Sequence, residues 1–305
     1  MKAITYERFG GPEVLTFGEI AAPAPGPGEV RVRVVAAGVN PLDHKRRYGW
    51  MEEFYPTTFP AVPGLEFAGV VDALGEGAAG FAVGDEVFGW TRTGAYAEYA
   101  IAGDIVHKPA GLSFEEAVTL PVAGETAQRV LALLGVRSGE TLLLHGAAGA
   151  VGQVATQLAV GLGATVVGTA SPRNHDFLRE LGAIPVAYGE GLGDRVRAVA
   201  PGGRVDAVLD AAGFDTLPVS IELRGGTTDR IVTIAAPDAG AHGIPFSGGG
   251  TPPGTVRAWL AGHGRMAVEG SLRVPVAGTF ALADAARAQA LSETGHAPGK
   301  LVVLV

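Results

Sequence analysis

The chain has 305 residues, no cysteine and a formal net charge of −8, with 47% apolar and 18% charged residues. This length can bury a large core without disulfides, and two domains are expected. The absence of cysteine excludes disulfides, thiolate nucleophiles and cysteine-ligated zinc, and the acidic balance makes nucleic acid a poor partner. Charged residues at positions 2, 7 and 8 interrupt any signal-peptide core, so we expect a cytoplasmic protein without a membrane segment.

The first 115 residues predict a mostly β domain. In the stretch 29–39, EVRVRVVAAGV, buried-type valines alternate with arginines, which is typical of a half-exposed strand. Further short apolar runs bounded by Gly and Pro turns lie at 69–75, 84–90 and 95–101.

Beyond residue 115, apolar strands and helical stretches alternate. A strand (141–146), a helix (150–161), a second strand (164–170) and a second helix (174–183) are predicted, with later strands at 205–213, 229–235 and 299–305. This alternation is typical of a doubly wound parallel sheet. Residues 141–172 carry no charged side chain, but glycines interrupt them, so buried strands and a helix fit better than a membrane span.

The stretch HGAAGAVG, 145–152, connects the strand at 141–146 to the following helix. It resembles the dinucleotide-binding turn G-x-G-x-x-G, except that Ala147 stands at the first glycine position. Gly149 would let the backbone approach a pyrophosphate, and Gly152 would let the helix pack closely on the sheet. The same turn is also compatible with a purely structural strand-to-helix connection.

The end of the next strand bears on the choice of cofactor. An NAD-selecting site places Asp or Glu there for the ribose 2′-hydroxyl, whereas this chain has Thr169-Ala170-Ser171-Pro172-Arg173-Asn174. Ser171 and Arg173 could bind a 2′-phosphate, which favours NADPH. The alternative is that Arg173 is a solvated residue at a helix start.

Several further segments carry a family likeness in the same order along the chain. They include AAGVNPLDHKRRYG (36–49), FPAVPGLEFAGVVDALGEG (59–77), GAYAEYA (94–100), LPVAGETA (120–127) and GHAPGKLVVLV (295–305). With HGAAGAVG, they resemble the zinc-free quinone oxidoreductase (zeta-crystallin-like) branch of the medium-chain dehydrogenase/reductase superfamily.

The resemblance implies an α/β fold of two domains and commonly a homodimer paired through the edges of the Rossmann sheets. A GroES-like β-barrel catalytic domain would cover residues 1–115, completed by 266–305, and a Rossmann doubly wound parallel-sheet domain would cover 116–265. NADPH would lie between them. The implied contacts are Asn40 and Thr126 near the nicotinamide, Gly149, Ala150 and Val151 at the pyrophosphate, Ser171, Arg173, Tyr188 and Lys300 at the 2′-phosphate, and Ile234 and Ala235 on the nicotinamide side.

The zinc-dependent enzymes of the same superfamily hold their metal around a Gly-His-Glu turn, which here is Gly64-Leu65-Glu66. With no cysteine and no histidine pair at helical spacing, we expect a metal-free protein. Without a Lewis acid, hydride transfer is expected to electrophilic small molecules that delocalise the incoming charge themselves, namely quinones and α,β-unsaturated carbonyl compounds.

The segment NPLDHKRRYG supplies the candidate catalytic residues Asn40, Lys45 and Tyr48, which could donate a hydrogen bond or relay a proton. The alternatives are that Lys45 is solvated and Tyr48 lies at the surface, while Asp43 is expected to be structural. Glu125 either faces the substrate or caps a helix beginning near Thr126.

Two other functions remain open at this stage. An enoyl-thioester reductase of polyketide or fatty-acid type would need a basic rim, which Lys45, Arg46 and Arg47 could form. An NADPH-binding structural or regulatory protein would show little turnover.

Overall fold

The computed structural model describes all of residues 1–305. Its strands are β1 (Lys2–Thr5), β2 (Thr16–Glu19), β3 (Val30–Val39), β4 (Glu66–Leu74), β5 (Glu86–Thr91), β6 (Tyr99–His107), β7 (Thr141–His145), β8 (Thr165–Thr169), β9 (Ile184–Val186), β10 (Ala207–Asp210), β11 (Ile231–Thr233), β12 (Val276–Ala281) and β13 (Lys300–Leu304). Its α-helices are α1 (Pro41–Arg47), α2 (Phe114–Ala117), α3 (Pro121–Leu134), α4 (Ala150–Gly161), α5 (His175–Glu180), α6 (Leu192–Val199), α7 (Thr216–Leu223), α8 (Pro253–Val268) and α9 (Ala285–Glu293). None of these helices combines the length and apolar character needed to cross a bilayer.

The chain divides into two compact units. The first unit comprises residues 1–122, 253–270 and 274–305, and the second comprises 123–252 and 271–273. These limits differ from the predicted 1–115 and 116–265, chiefly because α8 belongs to the first unit. There α8 packs on β6 and buries Val256 and Leu260, which explains its place in that unit.

The first unit is built on a six-stranded sheet of order β12-β13-β3-β4-β5-β6. An additional antiparallel pairing of β3 with β6 closes four of these strands into a barrel. Along β3, Val32 and Val34 are buried while Arg33 is exposed, as the alternation predicted. The predicted strand at 95–101 lies later, since β6 begins at Tyr99. The last strand, β13, pairs with β3 in this sheet, as the family resemblance implied.

The second unit is a five-stranded parallel sheet of order β11-β10-β7-β8-β9 with helices connecting its strands, a Rossmann-type arrangement. The uncharged stretch forms β7, α4 and β8, and all five residues of β7 are buried. At one edge of the sheet, Ser247 N–H donates to Thr233 O over 2.8 Å, forming a short parallel bridge beside β11. The carboxyl ends of the parallel strands all lie at one edge, where α4 begins.

Candidate functional site

The glycine-rich turn between β7 and α4 tolerates Ala147 for two structural reasons. The left-handed backbone that a tight turn needs is adopted one residue earlier, by Gly146, with φ of +74°. Ala147 itself is fully buried, and its N–H donates to Thr169 O over 3.1 Å. A Cβ at Gly168 on β8 would lie only 2.8 Å from the Ala147 methyl. The alanine therefore fits because its neighbour on β8 is glycine.

The N-terminus of α4 is shaped to receive an anion. Gly149 caps the helix without any side-chain hydrogen bond, so the first N–H groups of the helix, including those of Ala150 and Val151, are not capped. A Cβ at Gly149 would meet nothing nearer than Gly146 O, at 3.5 Å, whereas one at Gly152 would lie 2.4 Å from that oxygen. The open space at Gly149 leaves room for a pyrophosphate, and the close packing at Gly152 holds the helix against the turn.

The carboxyl end of β8 carries the residues predicted for a 2′-phosphate. Ser171 Oγ and Tyr188 OH lie 3.0 Å apart, a hydrogen bond in which either hydroxyl can donate. Arg173 lies in the 3-10 turn that follows, where it is exposed and makes no ion pair. The structure thus brings Ser171 and Tyr188 together beside an acid-free strand end, with an available guanidinium on the next turn.

Lys300 does not have the environment predicted for it. Its side chain is 2% exposed in the first unit, where Nζ donates to Asn40 Oδ1 over 2.6 Å and forms an ion pair with Glu66. This corrects the predicted contact of Lys300 with a 2′-phosphate. The physical reason is that β13 turns this side chain inward, where a buried ammonium requires a carboxylate partner.

Lys300 belongs to a buried polar cluster of five residues in the first unit: Asn40, Asp43, Glu66, Tyr96 and Lys300. Glu66 connects the cluster, because it pairs with Lys300 and also accepts two hydrogen bonds. Its Oε1 accepts from Asn40 Nδ2 over 2.8 Å, and its Oε2 accepts from the N–H of Val122 over 2.7 Å. The sequence analysis did not identify Glu66 as a site residue. The signal was its place in the Gly64-Leu65-Glu66 turn, which corresponds to the metal-binding turn of the zinc-dependent enzymes.

Asp43 has the structural role that was expected. Its Oδ2 accepts from the N–H of Asn40 over 2.8 Å, which caps α1, and from Tyr96 OH over 3.2 Å. Burial raises the pKa of Asp43 to about 7. The Asn40 amide has its oxygen and one N–H group engaged within the cluster, so its orientation is set by Glu66 and Lys300.

Lys45 and Arg47 of α1, and Tyr48 directly after it, lie in different environments. Lys45 is half-buried without an ion-pair partner, and desolvation lowers its pKa, so it is not the freely solvated lysine of the alternative interpretation. Tyr48 stacks on Trp50 at 4.7 Å, and its OH lies 3.3 Å from Glu293 Oε2. Arg47 is fully buried and paired with Glu293, which corrects its predicted place in a basic rim.

The capping alternative for Glu125 does not hold, because α3 begins at Pro121 and encloses this residue, while its place at the substrate stays a prediction. Its Oε1 accepts from Arg129 Nε over 2.7 Å and from Thr251 Oγ1 over 2.6 Å, so it is a helix-internal ion-pair partner rather than a cap. Thr126 follows it on α3, partly buried. Ile234 and Ala235 lie directly after β11, partly buried at the carboxyl edge of the second unit's sheet.

No group of three or more His, Asp or Glu side chains is arranged to hold a metal ion.

Two family models match the chain. Residues 26–127 match the alcohol dehydrogenase GroES-like domain, and residues 181–303 match the zinc-binding dehydrogenase model. The quinone oxidoreductase of Pseudomonas aeruginosa is 33% identical over 327 aligned positions, covering 99% of each chain. The 2-methylene-furan-3-one reductase of Solanum lycopersicum is 32% identical, covering 99% of this chain and 79% of the relative. The solved structure of mycobacterial Rv1454c complexed with NADPH has a TM-score of 0.85 and 29% identity, covering both chains completely.

Proposed function

The chain belongs to the zinc-free quinone oxidoreductase (zeta-crystallin-like) branch of the medium-chain dehydrogenase/reductase superfamily, and we propose that it transfers a hydride from NADPH to a quinone or an α,β-unsaturated carbonyl compound. As an oxidoreductase of this family, it binds a nicotinamide cofactor and acts on a small molecule. The mycobacterial structure complexed with NADPH supports NADPH as the cofactor. The tomato 2-methylene-furan-3-one reductase supports an α,β-unsaturated carbonyl compound as the acceptor.

The observation that carries the NADPH preference is the pair Ser171 and Tyr188 at the end of β8, with Arg173 exposed and unpaired on the next turn. Two hydroxyls and a guanidinium suit a phosphate, whereas an NAD site would need a carboxylate there. The uncapped N-terminus of α4, with Gly149, Ala150 and Val151, would hold the pyrophosphate. Thr126, Ile234 and Ala235 remain the proposed contacts near the nicotinamide.

The bound cofactor would supply the hydride, and the protein must then handle the charge that develops on the acceptor. Lys45 is the best-placed candidate in the first unit, because its half-buried ammonium has no ion-pair partner and would gain from meeting an enolate or quinol oxygen. One proton, from Lys45 or water, completes the reduction, so that NADPH, acceptor and proton yield NADP⁺ and the reduced acceptor. Asn40, held rigidly by Glu66 and Lys300, is proposed to contact the nicotinamide. Tyr48 is a weaker catalytic candidate, since its OH faces Glu293.

An enoyl-thioester reductase is the second candidate. The burial of Arg47 removes one member of the basic rim that it would need. A binding protein with little turnover is the third candidate, and turnover separates it from both enzymes.

The proposal is tested by following NADPH oxidation with an ortho-quinone, an enone and an enoyl thioester. We expect turnover with the quinone or the enone and little with the thioester. Replacing Lys45 by Met should lower kcat by roughly tenfold or more, as loss of a charged hydrogen-bond donor predicts, while Lys2→Met, at an exposed lysine of β1, serves as the matched control. Activity with the thioester alone would establish the second candidate, and no turnover with any acceptor would establish the third.

A homodimer and a cytoplasmic location stay predictions. Edge pairing of two Rossmann sheets through β11 would have to displace the bridge between Thr233 and Phe246. Light scattering on the purified chain measures the oligomeric state directly.

A further inference from the structure

A pocket of about 200 Å³ opens in the first unit, between the end of α1 and the loops on either side of the barrel. Its walls include Arg46, Thr57, Thr58, Leu65, Arg92 and Gly94. Two arginines and four threonines give this small space a polar and cationic lining, although the chain as a whole is acidic. Such a lining suits an anionic group better than the apolar ring of a quinone.

Arg46 is the distinctive residue of this pocket. Its Nε is buried and has no hydrogen-bond partner, and its guanidinium makes no ion pair in the structure. The guanidinium carbon lies 5.8 Å from the centre of the Tyr55 ring, so the aromatic face holds one side of it. A buried guanidinium N–H without an acceptor is costly, and an oxyanion in the pocket would supply that acceptor.

Thr57, Glu52 and Arg92 are further polar groups of this region. The hydroxyl of Thr57, also in the wall, is buried near the hydroxyl of Tyr6. The carboxylate of Glu52 accepts from the N–H of Thr57 over 3.2 Å through one oxygen, its other oxygen is buried without a hydrogen-bond partner, and it forms no ion pair with Arg46. Arg92 is already paired with Glu29 and is largely exposed, so its contribution to the pocket is long-range. Arg46 therefore carries the specific contact.

We propose that this pocket binds an oxyanion, a carboxylate or a phosphate, carried by the electrophilic acceptor. The inference rests on the proposed function, and it names the class of acceptor. Arg46 directly follows the catalytic candidate Lys45 on α1, and Leu65 of the wall directly precedes Glu66, which holds Asn40. An acceptor anchored through its oxyanion at Arg46 would be fixed beside Leu65, one residue before Glu66, and an uncharged acceptor would lack this anchor.

The kinetic test compares two acceptors that share one enone and differ in charge: 4-oxopent-2-enoate and its methyl ester. The quantity of interest is the acid-to-ester ratio of kcat/KM, because intrinsic reactivity cancels when variants are compared. We expect Arg46→Gln to lower this ratio about tenfold, the effect of losing one charge-assisted hydrogen bond, with the ester little changed. Arg46→Lys should retain part of the preference, and Arg33→Gln, at an exposed arginine of β3 outside the pocket, should leave the ratio unchanged.

A binding measurement without turnover separates this inference from the proposed function. Isothermal titration calorimetry on the full chain would compare the unreactive 4-oxopentanoate, its methyl ester and inorganic phosphate. Binding of 4-oxopentanoate that is lost in Arg46→Gln supports a carboxylate, and binding of phosphate that is lost in the same variant assigns the pocket to a phosphorylated acceptor. If neither anion depends on Arg46, the inference is overturned even for an active enzyme. If Arg46-dependent binding occurs but no acceptor turns over, the oxyanion pocket stands and the proposed function fails.

Discussion

Lys300 Nζ donates to Asn40 Oδ1 over 2.6 Å, so the last strand of the chain holds the residue that caps α1. Both residues are buried, and Glu66 completes the arrangement by pairing with Lys300 and accepting from Asn40. The orientation of Asn40 therefore depends on two residues that are 26 and 260 positions away in sequence.

Replacing Lys300 by Met should destabilise the protein by about 3–5 kcal/mol, because the carboxylate of Glu66 would remain buried without its counter-charge. Urea unfolding measures this loss, and the double variant with Glu66→Gln should recover part of it. The ratio of NADPH to NADH affinity should stay as in the wild type. A selective loss of NADPH affinity in Lys300→Met would restore the 2′-phosphate role that the structure argues against.

Arg173→Gln should weaken NADPH binding about tenfold while leaving NADH binding nearly unchanged, since only NADPH carries the 2′-phosphate. Ser171→Ala and Tyr188→Phe should act in the same direction with smaller effects. The control is Arg137→Gln, an exposed arginine elsewhere in the second unit that has no ion pair. Fluorescence titration of the wild type and each variant with both cofactors measures these affinities, and equal losses for NADPH and NADH would contradict the assignment.

Asp43 should make stability fall as the pH rises. Burial raises its pKa from 3.8 to about 7, so the folded state holds a proton that the unfolded state has released. The stabilisation is fully present below about pH 4 and is lost as the pH rises through about 7. Asp43→Asn should remove this trend.

The comparison requires urea unfolding of the wild type and Asp43→Asn across this pH range. His44, His145 and His263, whose pKa values burial lowers to about 4, produce the opposite trend as the pH falls, but they are present in both proteins and cancel in the difference. A difference in unfolding free energy that is constant between about pH 4 and 7 would show that Asp43 is ionised throughout.

Gly168→Ala should destabilise the second unit by about 1–3 kcal/mol, because the new Cβ would lie 2.8 Å from the methyl of Ala147. The double variant Ala147→Gly with Gly168→Ala should recover most of this loss. Thermal unfolding of the single and double variants measures the coupling, and additive effects would contradict the proposed contact.

Local patterns were sufficient to predict most of the fold. The alternation in β3 and the uncharged run through β7, α4 and β8 placed these elements close to their observed limits, because burial of one face or of a whole strand leaves a direct trace in sequence. The assignment of α8 to the first unit left no such trace, since it depends on packing against β6.

Residues of the candidate site that follow from local patterns were predicted, and those whose environment depends on distant contacts were not. Gly149 and Ser171 lie near strand ends that the pattern located, whereas Tyr188 follows β9, which the pattern did not locate, and was implied by the family resemblance. The structure brings Ser171 and Tyr188 together. The environments of Lys300 and Arg47 arise from contacts with Glu66 and Glu293, which lie more than 200 residues away in sequence. Neither partner could be chosen from local spacing.

The contact between Ala147 and Gly168 also constrains how this turn can change over evolutionary time. A lineage with glycine at both positions can reach the present sequence by a single Gly→Ala change at position 147, because Gly168 has no Cβ that would meet the added methyl. Once alanine is in place, position 168 is closed to any larger residue until position 147 reverts. The two sites should therefore vary together among descendants, and libraries for engineering this turn should randomise them as a pair.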